Sequence, residues 1–299
     1  REGSMRRKKA NVISTIVLII ILLVGLSVML YPIISNWWNS KVQTRAIANY
    51  NRVVSELDDN ETERIIAEAR DYNNQLAQLQ APFSQYNKIS GYENILDISD
   101  SGIMGYISIP AIKAEFPIYH GTDEEVLNIA AGHLQGSSFP VGGSDTHAVI
   151  SAHRGLPSAK LFSDLDKMVV GDTFTVTVLD EVLTYEVEEI FIVKPNEMEK
   201  LAIIPGGDYI TLMTCTPYGI NTHRLLLRSH RIDTVYSQNF KLTSDAVQVD
   251  PMLVVPVIAA PLIIILLIFW IFGGKLKKKK SIINRNTLYR LPSQKEEGD

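Results

Sequence analysis

Among 299 residues there is one cysteine, Cys215. It closes the β-rich run Tyr209-Ile-Thr-Leu-Met-Thr214 and is followed by Thr216-Pro217-Tyr218-Gly219-Ile220-Asn221, a turn-rich connection, and then by the apolar run His223-Arg-Leu-Leu-Leu-Arg228. If the two runs pair as a hairpin, Cys215 and Arg224 meet at its mouth. A lone cysteine is more often a buried structural thiol than a nucleophile. A strand end that meets a loop is nonetheless a place where a thiolate can be reached. His153 occupies a second such place, after Ala148-Val-Ile-Ser-Ala152 and before Arg154-Gly155. A thiol is only a few per cent thiolate at neutral pH, so an imidazole is its usual activator. Attack on an amide further needs a proton for the leaving amine, which His153 can give, and charge for the developing oxyanion, which Arg224 can give without titrating. His120, His147 and His230 read as surface or strand-end residues, whereas His133 and His223 are harder to set aside. One cysteine excludes an internal disulfide and a cysteine-based zinc cluster, and the acidic residues show no calcium-ligand spacing, so neither metal nor cofactor is expected.

Several elements must hold these three residues. Residues 41–80 read as two helices: Ala46, Tyr50, Val53, Val54 and Leu57 recur at three-to-four spacing, as do Ile65, Ala69, Tyr72, Leu76 and Leu79. Asn60 with Glu63 is the expected cap pair of the second helix. Ala81-Pro82-Phe83 stops it, because proline cannot continue a helix, and 84–101 reads as a surface loop. From Gly105 the texture becomes short β-rich runs broken by Gly, Pro and Asp: 105–109, 116–119, 147–151, 173–179, 183–193, 209–214 and 223–228. Seven or more short strands in so few residues predict a closed or nearly closed β-barrel. Residues 126–131 and 161–165 are expected brief helical inserts.

A mean hydropathy of +0.07 beside 21% charged residues means that the apolar residues are unevenly spread. No charge occurs from Ala10 to Ser40 or from Pro251 to Gly274. Both runs are near the roughly 20 residues that a membrane-crossing helix needs. Arg6, Arg7, Lys8 and Lys9 precede the first; Lys275 and Lys277 to Lys280 follow the second. Positive-inside bias places both termini in the cytoplasm and the part between them outside, with Tyr31, Trp37 and Trp38 at the outer interface. Of the 29 basic residues 13 lie outside 41–250, and of the 33 acidic residues 4 do, which leaves that stretch with a net charge of −13. It should repel phosphate backbones, so nucleic acid is excluded as a partner.

The run Thr211-Leu-Met-Thr-Cys215, with Arg224 nine residues on and His153 about sixty upstream, resembles the sortases, extracytoplasmic cysteine transpeptidases of Gram-positive bacteria. Gly132-His133, Gly136-Ser137-Ser138-Phe139-Pro140, His153-Arg154-Gly155 and Leu161-Phe162-Ser163-Asp164-Leu165 support it, and it covers roughly residues 80–235. The resemblance implies an eight-stranded β-barrel with Cys215 as nucleophile, His153 as acid/base and Arg224 as the substrate-positioning or oxyanion residue. Cys215-Thr-Pro-Tyr-Gly-Ile-Asn-Thr-His-Arg224, the second span and the N-terminal helices look like class C, the pilus-assembling sortases. That class carries an Asp-Pro-aromatic lid; here the segment is Ala81-Pro82-Phe83, so Pro82 and Phe83 are lid candidates and the acidic latch is absent.

The resulting organisation is a basic cytoplasmic segment 1–11, a span 12–34, a helical region 35–80, a lid or loop 81–103, the catalytic barrel 104–235, a linker 236–251, a span 252–273 and a basic cytoplasmic tail 274–299. The resemblance implies cleavage of LPxTG-like sorting signals on pilin precursors through a Cys215 thioester, resolved by an acceptor pilin lysine. The rival readings are a housekeeping-type sortase that joins proteins to peptidoglycan, a membrane-bound cysteine hydrolase, and a non-enzymatic membrane scaffold.

Overall fold

The computed structural model describes residues 2–99 and 101–234, with side chains from residue 14 onward. These residues fall into two units, one ending at Leu30 and one beginning at Tyr31. Helix α1 (Glu2–Val54) supplies the first unit and the opening of the second. Its most apolar 18-residue window has a mean hydropathy of 2.9 and is not buried at all, so the helix is long and apolar enough to cross a membrane. The helix runs without interruption from the expected span 12–34 into the helical region expected from residue 35. The expected second span, 252–273, lies outside the described residues.

In the second unit, α2 (Asp59–Ala77) buries Ile65, Ile66, Ala69, Tyr72, Asn73 and Leu76, one face at helical spacing. Its cap lies two residues earlier than the sequence pattern suggests: the Asp58 carboxylate accepts from the Glu61 amide at 2.8 Å. Asn73 clasps the barrel from this buried face, donating to Phe139 O at 3.0 Å and accepting from Phe139 N at 2.7 Å. Two polar ends of a buried amide are thereby satisfied at once, which fixes how α2 sits on the barrel. At the end of α1, the Tyr50 hydroxyl donates to Met104 O at 3.1 Å and accepts from Leu179 N at 2.8 Å.

Eight strands follow: β1 (Ile103–Ile109), β2 (Ala114–His120), β3 (Ala131–His133), β4 (Thr146–Ser151), β5 (Thr173–Val178), β6 (Glu181–Val193), β7 (Asp208–Thr216) and β8 (His223–Ile232). They close into a barrel in the order β1-β2-β3-β4-β7-β8-β6-β5, with β5 returning to β1. Seven strands lie where the residue pattern puts them. The eighth, β3, is Ala-Gly-His, three residues with no β-branched side chain, and exists because it is paired on both sides, by β2 and by β4. Ile107, Ile109, Ile118, Ile150, Val176, Tyr185, Ile210, Leu212 and Leu227 are all fully buried in the core that the closed sheet surrounds. Alternation along each strand puts these side chains inside and leaves the other face for the site. The first insert is α4 (Glu124–Leu127); the second contracts to a single turn at Leu165–Lys167.

Two histidines read as surface or strand-end residues, His120 and His147, stand at strand ends but are buried rather than at the surface. His147 is fully buried and His120 is 8% exposed. His147 donates from Nδ1 to Ala202 O at 2.8 Å, and its Nε2 accepts from Thr211 Oγ1 at 2.7 Å, tying β4 and β7 to the β6–β7 connection. His133 is enclosed by Tyr92 and Phe139, with Tyr92 Oη 2.9 Å from Nδ1 and Ser138 O 2.7 Å from Nε2. Burial, the largest cause in both, pushes each imidazole down to about 4 from an ordinary 6.5; the nearby Arg228 charge acts in the same sense on His147. Both are thus neutral in the fold but take up a proton on unfolding between about pH 6.5 and 4. Stability is expected to be full above that window and to fall as pH drops through it, by up to about 1.4 kcal/mol per pH unit for each histidine. Melting curves between pH 7.5 and 4.5 test this, and His147→Gln should flatten the slope.

Candidate active site

Strands β7 and β8 form the hairpin anticipated from sequence, and their register pairs Cys215 with Arg224 directly. Directly opposed residues of an antiparallel pair present side chains to one face with Cβ atoms about 5 Å apart. On the other side of β7, β4 runs parallel and pairs Ser151 with Met213. Beyond the end of β4, Ala152 N donates to Met213 O at 3.2 Å and Thr214 Oγ1 donates to Ala152 O at 2.8 Å. The chain at His153 therefore leaves the sheet alongside Cys215. Three residues spread over 72 positions are gathered at one end of three adjacent strands, all partly exposed. Arg224 is turned back on its own hairpin, donating from Nη1 to His223 O at 3.2 Å and to Asn221 O at 3.4 Å.

Thr214 and Thr216, the neighbours of Cys215, are buried, whereas Cys215 and Met213 are half-exposed. Met213 packs with Leu134, Phe191, Val193 and Met198 over the buried Val149, Leu201 and Leu226, a second apolar cluster distinct from the barrel core. Phe83 belongs to it. This aromatic comes from α3 (Pro82–Gln85), a single turn opened by Pro82. The backbone of α3 rests on Gly136: a Cβ there would come within 2.7 Å of Phe83 Cα and 3.0 Å of Pro82 O. Gly136 also has φ of +87°, where other residues are strained. The side chain of residue 81 takes no part in seating the segment; Ala81 contributes its carbonyl, which accepts from Ser84 N at 3.1 Å and Ser84 Oγ at 3.1 Å.

Phe83→Ala removes the aromatic from the apolar cluster that it shares with Met213, two residues before Cys215, and Gly136→Val displaces the turn that carries it. Both substitutions are expected to speed alkylation of Cys215 several-fold, with the bulkier Gly136 change having the larger effect. An alkylation rate equal to that of the unaltered chain in both would remove Phe83 as a cover.

Arg154, directly after His153, has a role that its own segment does not show. It is ion-paired with Asp166, lies 3.5 Å from Thr216 Oγ1 and stacks 5.6 Å from the Tyr218 ring centre. A Cβ on the next residue, Gly155, would lie 3.0 Å from the Tyr218 ring. The segment after His153 and the segment after Cys215 are thus packed on each other. The available signal was the dipeptide following the histidine, but neither its partner Asp166 nor its partner Tyr218 lies at a spacing that sequence periodicity can show. Among the described residues no group of three or more His, Cys, Asp or Glu side chains is gathered to hold a metal ion.

The family model for the Sortase domain matches residues 107–232. Sortase C1 from Streptococcus agalactiae, a solved structure, is 48% identical with a TM-score of 0.58, over 64% of this chain and 99% of that one. A Streptococcus pneumoniae sortase C, whose description names pilin substrate specificity, is 47% identical with a TM-score of 0.57, over 64% of this chain and 97% of that one. A curated Sortase A from S. agalactiae serotype III is 33% identical over 117 residues, 38% of this chain and 47% of that protein. The chain spans about half the length of that curated relative.

Proposed function

The chain belongs to the sortase family, and on that premise we propose that it is a membrane-anchored cysteine transpeptidase that links pilin subunits. The observation that carries this reading is the strand register that sets Cys215 opposite Arg224 and brings His153 out beside them. The pilin assignment draws on the streptococcal sortase C structures, which are similar over nearly their whole length.

In the proposed reaction the Cys215 thiolate attacks the threonine carbonyl of an LPxTG-like signal. Negative charge builds on the carbonyl oxygen, and the Arg224 guanidinium, keeping one of its two hairpin carbonyls, turns another N–H to meet it. The Sγ–C bond forms as the threonine–glycine C–N bond breaks; the proton held by His153 goes to the leaving glycine nitrogen. A thioester remains. A lysine amine of a second pilin then attacks, its N–C bond forming as the C–S bond breaks, and its surplus proton returns through His153 to sulfur. At pH 7 only about one lysine in 2,500 is free amine, so the base is needed in this half as well. Water competes for the thioester throughout, and Phe83 over the apolar cluster would restrict it.

Helix α1 serves as the anchor, with the barrel outside the cell and both termini inside; a second anchor at 252–273 completes this topology. Holding enzyme and membrane-borne substrates on one surface raises their effective concentration without further contacts. The test is mass spectrometry of the full chain incubated with an LPxTG-type pilin. A Cys215 thioester followed by a lysine-linked ladder is the expected product. Transfer only to a peptidoglycan-type amine would overturn the pilin assignment, and cleavage without transfer would overturn the transpeptidase reading.

A further inference from the structure

The turn of α1 that follows the apolar stretch has two unlike faces. Trp37 and Trp38 are 58% and 59% exposed. Ser35, Asn36, Asn39 and Gln43 fall within an arc of about 100° when successive residues are 100° apart. All four are engaged with backbone more than eighty residues away. Asn39 Nδ2 donates to Ser158 O at 2.7 Å, and Ser35 Oγ donates to the same oxygen at 3.2 Å. Asn36 Oδ1 accepts from Lys160 N at 2.8 Å. Gln43 Nε2 donates to Ile129 O at 2.6 Å, two residues before β3.

Residues 158 and 160 form the apex of the loop that starts at His153. The loop is closed at its base, where His153 O accepts from Phe162 N at 3.2 Å and Gly155 N donates to Ser163 Oγ at 3.1 Å. Its inner side is buried through Ala159 and Leu161, both 3% exposed. Toward the site it is held by Arg154 against Thr216 and Tyr218, on either side of the step from β7 into its loop. The outward backbone groups of the apex are the ones that α1 takes. A loop pinned at base and inner side alone can still rock about its base, and His153 sits in that base.

We propose that Asn36 and Asn39 are positioning residues for His153: the segment directly after the apolar stretch of α1 steadies the histidine loop through its apex. The proposal rests on the reading of His153 as the acid/base. It makes the helix part of the catalytic geometry, because a shift of about 1 Å in a positioned group costs on the order of a hundredfold in rate.

The two asparagines work in opposite senses, and that gives a test which general weakening of the fold cannot mimic. Asn36 accepts, so Asn36→Asp keeps its bond; Asn39 donates, so Asn39→Asp sets a carboxylate against a carbonyl. Full-length chain in lipid nanodiscs is assayed for acyl transfer from an LPxTG-type peptide, with amide exchange followed in parallel. Asn36→Ala/Asn39→Ala and Asn39→Asp are expected to quicken exchange of residues 154–162 by about tenfold while β1 and β5 stay protected, as expected for a net loss of one or two hydrogen bonds. They should lower kcat at unchanged KM and displace the pH–rate profile. Asn36→Asp should retain the rate of the unaltered chain. Unchanged exchange in the loop, or a loosened loop with unchanged kcat and pH profile, overturns the proposal. His153→Ala separates the two readings: full activity there removes the acid/base assignment itself, whereas an inactive His153→Ala beside a fully active double-alanine variant removes only the role of α1.

Discussion

Cys215→Ala is expected to yield a folded barrel that forms neither thioester nor polymer. The thiol is half-exposed at the last position but one of β7 and lies outside both buried apolar clusters, so its loss opens no core cavity. The backbone pairing of residue 215 with residue 224 does not depend on the side chain. The loss is therefore chemical: the route through a covalent intermediate closes, and a decrease of at least about a thousandfold is the scale for removal of a nucleophile. Cys215→Ser should fare little better, because a hydroxyl is a far weaker nucleophile near neutral pH. His153→Ala keeps the sulfur but leaves no group to move protons in either half-reaction, and should fall to a similar floor. Since the two act as a unit, the double variant should be scarcely worse than either single one. High-molecular-weight pilin ladders on a denaturing gel and the mass of Cys215 after peptide incubation measure both effects. Persistent ladders with Cys215→Ala would refute the assignment of the nucleophile.

How far the chain could be read beforehand depends on the range of the forces involved. Strand runs such as 183–193 and 209–214 announce themselves by composition, and the hairpin that opposes Cys215 to Arg224 needs only a short turn between two of them. β3 has no local signature, since Ala131-Gly132-His133 becomes a strand through partners on both edges. His147 carries no mark of burial in its own segment; its partner Thr211 is 64 positions away and its partner Ala202 is 55 positions away. The cap of α2 falls two residues before Asn60 because Asp58, Asp59 and Asn60 are all competent caps and tertiary context chooses among them. Phe83 could be suspected from Pro82-Phe83, but its seat on Gly136 depends on a close backbone approach that no pattern of side chains encodes. The grip of α1 on the histidine loop, 119 to 124 positions apart, is of the same kind.

Arg224→Lys should cost most of the activity although it preserves the charge. In the resting geometry the guanidinium donates to two carbonyls of its own hairpin, His223 O and Asn221 O. It also belongs to a residue whose backbone is fixed opposite Cys215. A planar fork can keep one of those bonds while another N–H turns to the carbonyl oxygen under attack, so little reorganisation accompanies the build-up of charge. A lysine ammonium is a single strongly hydrated point on a flexible stem, and it cannot hold the hairpin and the oxyanion in one plane. Loss of one such donor is worth about a hundredfold to a thousandfold in kcat. The expected signature is a fall in kcat for acylation with little change in KM for the sorting peptide, and an unchanged rate of Cys215 alkylation by a small neutral reagent. A KM effect alone would make Arg224 a substrate-binding residue, and near-normal turnover would reduce it to a brace for the hairpin.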